Sequence, residues 1–421
     1  MKHVLTSTGL LALGAVSLHA LDPEMTRQQT GRPFSLSATV RGFYDDNINT
    51  SPRDEQESFG LELSPSAHLN LPLEQTFISL GYVYSLKWYE DREPHDIDQS
   101  HEFNGKLRHQ FSPRHSIGLD DRFVATTEPS VVDEGGIVTV PTRLRTKSSV
   151  FHNVGSIEDN VGLSPTWGLS FGYVNSWYDY RDENVPGSRS ALLDRMSHSL
   201  RGDLRYQFNP KLVGLVGYTF GLNDYTGDEF IDAANQAPGD LKSDIRNSYS
   251  HKGYVGVDFD ITAKLRASAR AGIQYVDYHE RGENSVSPYV DVSVSYLYNA
   301  DGSVEVGIRH DRSATDVVAL DTTTGEPTLD AETTALYAQL SHRITHGLTA
   351  NLTAQYQMST FNEGENDDKD EDMLLLGANL EYRFNRHWST ELGYNFDTLD
   401  SDIENRSYDR NRVYLGVRAT Y

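Results

Sequence analysis

From Arg32 onward the chain alternates apolar and polar residues with a period of two. In one stretch Leu374, Leu376, Ala378, Leu380, Tyr382 and Phe384 are separated by Leu375, Gly377, Asn379, Glu381 and Arg383. Leu265, Ala267, Ala269, Ala271, Ile273 and Tyr275 interleave with Arg266, Ser268, Arg270, Gly272 and Gln274, and Leu348 to Gln357 repeats the pattern. Successive strand side chains point to opposite faces, so each segment has one greasy and one wet face. Helical spacing would push the polar residues into the apolar stripe, so these are strands.

The connectors fall into two alternating sets. Short, turn-like ones lie at 71–75, 112–114, 164–166, 209–211, 262–263, 300–302, 346–347 and 385–386, rich in Pro, Gly, Asn and Asp. Long, polar and acidic ones lie at about 45–56, 91–97, 127–147, 181–193, 225–246, 279–286, 314–331, 360–371 and 398–407. The alternation predicts an all-β fold: a transmembrane antiparallel up-and-down barrel of about 18 strands (16–18), with short periplasmic turns and long acidic extracellular loops. The segments 145–163 and 210–225 alternate poorly and leave the count open by two. The apolar face is small in places (Ala267, Ala269, Ala271, Ala350, Ala354), which lipid tolerates and a close-packed core does not. Aromatics near strand ends, such as Tyr82, Trp88, Trp167, Tyr173, Trp177, Tyr296 and Trp388, suit interfacial girdles.

Composition narrows the function classes. The 421 residues carry 61 acidic and 37 basic side chains, a net charge of -24, which opposes nucleic-acid binding. With no cysteine there is no disulfide, thiol nucleophile or cysteine zinc site. Met1-Lys2-His3, the apolar run Leu10–Val16 and Ala20 read as a signal peptide, 1–20. A short periplasmic segment, 21–32, and a single barrel, 33–421, are expected to follow.

By strand parity the water-facing, pore-lining set is Arg41, Lys106, Arg108, Arg201, Asp203, Arg205, Asp258, Arg266, Arg270, Asp291, Glu305, Arg309, Glu381, Arg383, Glu391, Arg412 and Arg418. Opposite charges on a pore wall set a field that biases ion passage; the same pairs could simply tie neighbouring strands together. Asp121 falls on the apolar parity between Leu119 and Phe123, which points to a bulge there or a position at the rim. The acidic run Glu363–Asp372 reads as a solvated loop, with divalent-cation binding the sharper alternative. Loops 127–147 and 225–246 are long enough to narrow the mouth. Gly168-Leu169-Ser170-Phe171-Gly172 matches a nucleophile-elbow pattern, but Ser170 lies inside an alternating strand rather than at a strand-to-helix turn. No two of the 15 histidines have H-E-x-x-H spacing. No catalytic residue, metal or cofactor is expected.

Val413, Leu415, Val417, Ala419 and Tyr421 form the apolar face of a final strand that stops on an aromatic. This resembles the terminal strand of bacterial outer-membrane proteins, which implies that Tyr421 is read by the barrel-assembly machinery. Ala38-Thr39-Val40-Arg41-Gly42-Phe43-Tyr44-Asp45-Asp46-Asn47-Ile48 and Ser407-Tyr408-Asp409-Arg410-Asn411-Arg412-Val413-Tyr414-Leu415-Gly416-Val417 resemble the opening and closing strands of the putative β-barrel porin 2 family. The resemblance implies an outer-membrane barrel, some relatives being encoded near exopolysaccharide or exosortase systems. The expectation is a cell-outer-membrane porin-like channel for passive diffusion of small hydrophilic solutes or ions, contacting outer-membrane lipids and lipopolysaccharide, with self-association left open. The alternatives are a non-conducting accessory barrel of surface-polysaccharide export and, further off, a membrane-embedded lipid hydrolase.

Overall fold

The computed structural model describes residues 33–92, 96–127, 149–182, 186–227, 229–231, 241–319, 321 and 326–421. The expected signal peptide and the segment 21–32 lie outside the described residues. Eighteen strands follow in chain order: β1 Phe34–Asp45, β2 Ser58–Pro72, β3 Thr76–Tyr89, β4 Ile97–Ser112, β5 His115–Thr126, β6 Val150–Gly162, β7 Trp167–Tyr180, β8 Arg195–Asn209 and β9 Leu212–Tyr225. They continue with β10 Ser248–Thr262, β11 Leu265–Tyr278, β12 Glu283–Asn299, β13 Gly302–Ser313, β14 Asp330–Arg343, β15 Leu348–Asn362, β16 Asp370–Arg383, β17 Trp388–Ser401 and β18 Tyr408–Thr420. Each pairs antiparallel with the next, and β1 pairs with β18, so the sheet closes. Closure leaves no unpaired edge, the condition a sheet must meet to sit in hydrocarbon.

The short turns owe their shape to single side chains that accept hydrogen bonds from the backbone just ahead. Asn385 Oδ1 accepts from the amides of His387 (2.8 Å) and Trp388 (3.1 Å). Asn209 and Asn299 do the same for Lys211 (2.9 Å) and Asp301 (2.8 Å). The hydroxyls of Ser112, Ser164, Thr262 and Thr345 take the equivalent place. These are the Asx- and ST-turns that favour Asn, Ser and Thr over helix or sheet continuation.

The two faces of the wall have opposite chemistry. On β2, Ser58, Glu62, Ser64, His68 and Asn70 are buried, whereas Phe59 and Leu61 are 60% and 55% exposed. The buried polar side faces inward, because its side chains meet across intervening strands: Arg41 of β1 reaches Glu391 of β17, and Lys252 of β10 reaches Asp311 of β13. Only the concave side of a curved sheet brings the side chains of non-adjacent strands together. The convex band is apolar, from Val40 through Val216, Val255 and Ile273 to Leu415. No helix among the described residues is long and apolar enough to cross a membrane; the strands are the spanning elements.

Two sequence expectations change. The 279–286 connector is four residues long, 279–282, closed by the amides of Arg281 (3.0 Å) and Gly282 (2.9 Å) bonding to the Tyr278 carbonyl, with Gly282 at φ +72. Asp121 is at neither a bulge nor a rim. It sits mid-strand in β5 in unbroken register between Gly105 and Gly155, on the convex face, with the Asn153 amide 3.2 Å away as its donor.

Candidate functional site: the inner wall and the mouth

All of the parity-selected charges lie on concave positions of their strands, as the cross-strand registers require. Most are held in pairs. Arg41 binds Glu62 at 3.1 Å and Glu391 at 2.5 Å. Asp258 accepts from Arg205 (2.8 Å), Arg270 (3.3 Å) and Ser268 (3.1 Å). Asp203 accepts from the Tyr254 hydroxyl at 2.6 Å and lies 3.5 Å from Arg201, which also meets Glu158. Arg309 binds Asp311 at 2.9 Å, Arg412 binds Asp45 at 2.8 Å, and Arg418 donates to Thr39. Glu305 accepts from Ser295, and Glu381 lies 3.7 Å from Arg383. Asp291 stands between Arg270 and Arg309 in register, and Lys106 stands opposite Asp120. Arg266, paired with Asp260, is among the most exposed of the set at 56%.

These pairs are not equally wet. Arg410–Asp397 and Arg412–Asp45 are sealed, with carboxylates at 1% and 0% exposure. Arg108–Asp120 (2.6 Å) and Arg122–Glu102 (2.9 Å) on β4 and β5 keep their arginine side chains 48% and 42% exposed. Glu62, Glu102, Asp120, Arg122, Glu158, Lys252, Asp311, Asp397 and Arg410 share this face, and the same alternation in the sequence marks them. Ser170 of the elbow-like motif sits inside β7 and donates to Asn160 at 2.5 Å.

The mouth is crossed by a segment the length argument did not select. Where it is described, at 314–319, 321 and 326–329, this connector folds as the two paired arms of a finger, with the Thr328 amide bonded to the Ala319 carbonyl (3.0 Å) and that of Asp321 to Glu326 (2.8 Å). Val318 packs against Val150, Tyr180 and Leu193, nearly opposite in the ring. Val317 packs on Ala331 and Phe361 with Ile403 beside them. Arg406 pins the base of the finger, binding Asp316 at 3.3 Å and Glu371 at 2.8 Å. Glu371, in the acidic run, is therefore taken up by an arginine. No group of three or more metal-ligating side chains is assembled among the described residues.

The two loops beside the finger dock together. A short helix, α1 Arg189–Leu193, is capped by Ser188, whose hydroxyl accepts from Ala191, and followed by Asp194, which accepts from the Tyr180 amide (2.7 Å) and the Ser190 hydroxyl (2.6 Å). Burial pushes the Asp194 carboxyl up to about 6. The 226–247 connector, expected to narrow the mouth, lies against this loop where it is described, Gly187 bonding to Phe230 at 2.8 Å and Arg246 to the Leu192 carbonyl. Residues 128–148, most of the other expected narrowing loop, lie outside the described residues.

A closed, inside-out barrel with a charged interior and an apolar exterior is a membrane-spanning β-barrel of outer-membrane type. The resemblance seen in the end strands is borne out at the C-terminal end: residues 321–421 match the model of the family described as putative beta-barrel porin 2. No match is found among curated proteins. Among solved structures, Acinetobacter baumannii OccAB4 is 10% identical, covering 93% of this chain and 99% of that one, at a TM-score of 0.43. Pseudomonas aeruginosa OpdK with vanillate is 10% identical (92% and 99% covered, TM-score 0.45), and OccK2 (OpdF) of the same organism in complex with glucuronate is 13% identical (92% and 98%, 0.46).

Proposed function

We propose that this chain is a porin-like channel through which small hydrophilic solutes or ions diffuse across the outer membrane. The supporting observation is the nearly half-exposed arginine side chains of the ion pairs on β4 and β5: charges that stay hydrated inside a barrel border water rather than packed side chains. A barrel of this strand number is wide enough for an aqueous lumen. In this reading Arg108, Arg122, Asp120, Glu102 and Arg201 line the path, while Arg41, Arg270 and Arg412 brace the wall. Export by loss of residues 1–20, delivery through β18 and Tyr421, and contact with lipopolysaccharide at the acidic loops belong to the same proposal. The finger at the mouth favours one competing reading, a barrel plugged at its loop end that serves as an accessory or anchor.

Purified protein in planar bilayers distinguishes them. Stepwise open-channel currents are expected, with Arg108→Glu/Arg122→Glu shifting the reversal potential toward cation preference by a factor of several in permeability ratio. Silent insertion of well-folded protein would overturn the channel and leave the plugged barrel.

A further inference from the structure

One row of the inner wall near the mouth carries positive charge without the carboxylates found elsewhere. His152 of β6, Tyr178 of β7, Arg195 of β8 and Tyr225 of β9 are direct neighbours in register. His152 stacks on Tyr178 with ring centroids 4.0 Å apart. The Arg195 guanidinium lies over Tyr178 at 4.3 Å, and that of Arg246 over Tyr225 at 4.0 Å. Arg195 and Arg246 are 7% and 1% exposed.

Neither arginine has an ion pair among the described residues. Arg246 makes one hydrogen bond, to the Leu192 carbonyl, leaving Nε and Nη1 buried without acceptors; Nη1 of Arg195 and Nε2 of His152 are in the same state. Cation–π contact offsets only a fraction of what an unpaired buried charge costs. The adjacent carboxylate does not supply the missing charge: Asp194 is engaged by Tyr180 and Ser190, and its acidity is weakened by burial rather than strengthened by either arginine. His152 and Tyr178 are only partly buried, so solvent reaches the edge of the row beside the buried donors.

We propose that Arg195 and Arg246, with His152 at the edge, form an oxyanion site at the mouth that takes one carboxylate or phosphate group. Planar guanidinium groups with free N–H donors match the paired oxygens of such groups, and the tyrosine rings hold the two cations in place. The site goes beyond the channel reading and stands whether or not the barrel conducts.

The test is thermal unfolding of the purified full chain in detergent, with inorganic phosphate or acetate titrated against chloride at equal ionic strength. Phosphate or acetate is expected to raise the midpoint by several degrees and chloride to leave it unchanged. Arg246→Met should abolish the response and be at least as stable as the native chain in anion-poor buffer, because it removes an uncompensated charge. Should Arg246→Met not assemble, Arg195→Gln carries the same comparison. A purely structural arginine predicts the reverse: lower stability in Arg246→Met whatever the anion, with the native chain indifferent to phosphate and acetate alike, and that result overturns the site. Protein reconstituted with lipopolysaccharide separates the sources. Loss of the free-phosphate response there assigns the site to lipid phosphate, and retention assigns it to soluble anions.

Discussion

The inner walls built by β16–β18 with β1–β2 and by β4–β6 use the same arginine–carboxylate chemistry for different ends. In the first, Arg410–Asp397, Arg412–Asp45 and Arg41–Glu62 are shut off from water. In the second, Arg108–Asp120 and Arg122–Glu102 are only partly covered. Charge on an inner wall is therefore not evidence of a path; hydration of that charge is. A sealed pair locks the strands at the seam, whereas a wet pair gives little stability and leaves its field available to a passing ion.

The largest expected effect breaks a sealed pair. Asp397→Ala strands the Arg410 guanidinium in the wall and should cost about 3–5 kcal/mol, read as a fall in the urea midpoint of folded barrel in vesicles. Glu102→Ala, the matched change in the wet wall, should cost under about 1 kcal/mol. Equal losses would erase the distinction. The outer surface of the wet sector carries the next effect. Asp121 faces the hydrocarbon at mid-strand, where an acidic residue costs less than the roughly 2–4 kcal/mol of a basic one. Asp121→Leu should therefore gain about 1 kcal/mol, and a loss by the same unfolding measurement would mean that the hydrogen bond from Asn153 outweighs the cost of placing the carboxylate in hydrocarbon. The smallest concerns the mouth. Because burial raises the Asp194 carboxyl to about 6, its protonated form favours the folded loop. Its contribution is complete below the ordinary carboxylate range and is lost as pH rises through about 6. Hydrogen exchange at Ala191 and Leu192, corrected for intrinsic rates, should quicken from pH 5 to pH 7 in the native chain and stay level in Asp194→Asn.

The strands were legible because lipid on one side and water on the other enforce a period of two, and the turns because Asn, Ser and Thr close them locally. Legibility faded toward the loop end. There the outer face no longer meets hydrocarbon, and convex positions such as Asn284, Asp370, Asp372 and Asp409 become polar. That is how the start of β12, Glu283 to Val286, passed for a loop. Asp121 misled for the opposite reason: alternation was unbroken, and the exception was the residue itself. The candidate path was half legible. Parity placed charges on the inner face, but which carboxylate each arginine meets depends on register across strands. The course of Asp316–Val318 in the finger is set by contacts with segments far away in sequence. Arg246, in a loop with no period, gave no signal at all.

The seam between β1 and β18 has a kinetic consequence. Every other pairing joins consecutive strands, but this one brings together residues such as Thr39 and Arg418, 379 positions apart. Relative to a hairpin of about 20 residues, gathering those ends costs roughly 2–3 kcal/mol more in chain entropy. Zipping of neighbours can run ahead while the cylinder stays a curled ribbon with two bare rims, so the final latch should be the slow event of insertion. Until it shuts, either rim offers a template on which a foreign strand could register.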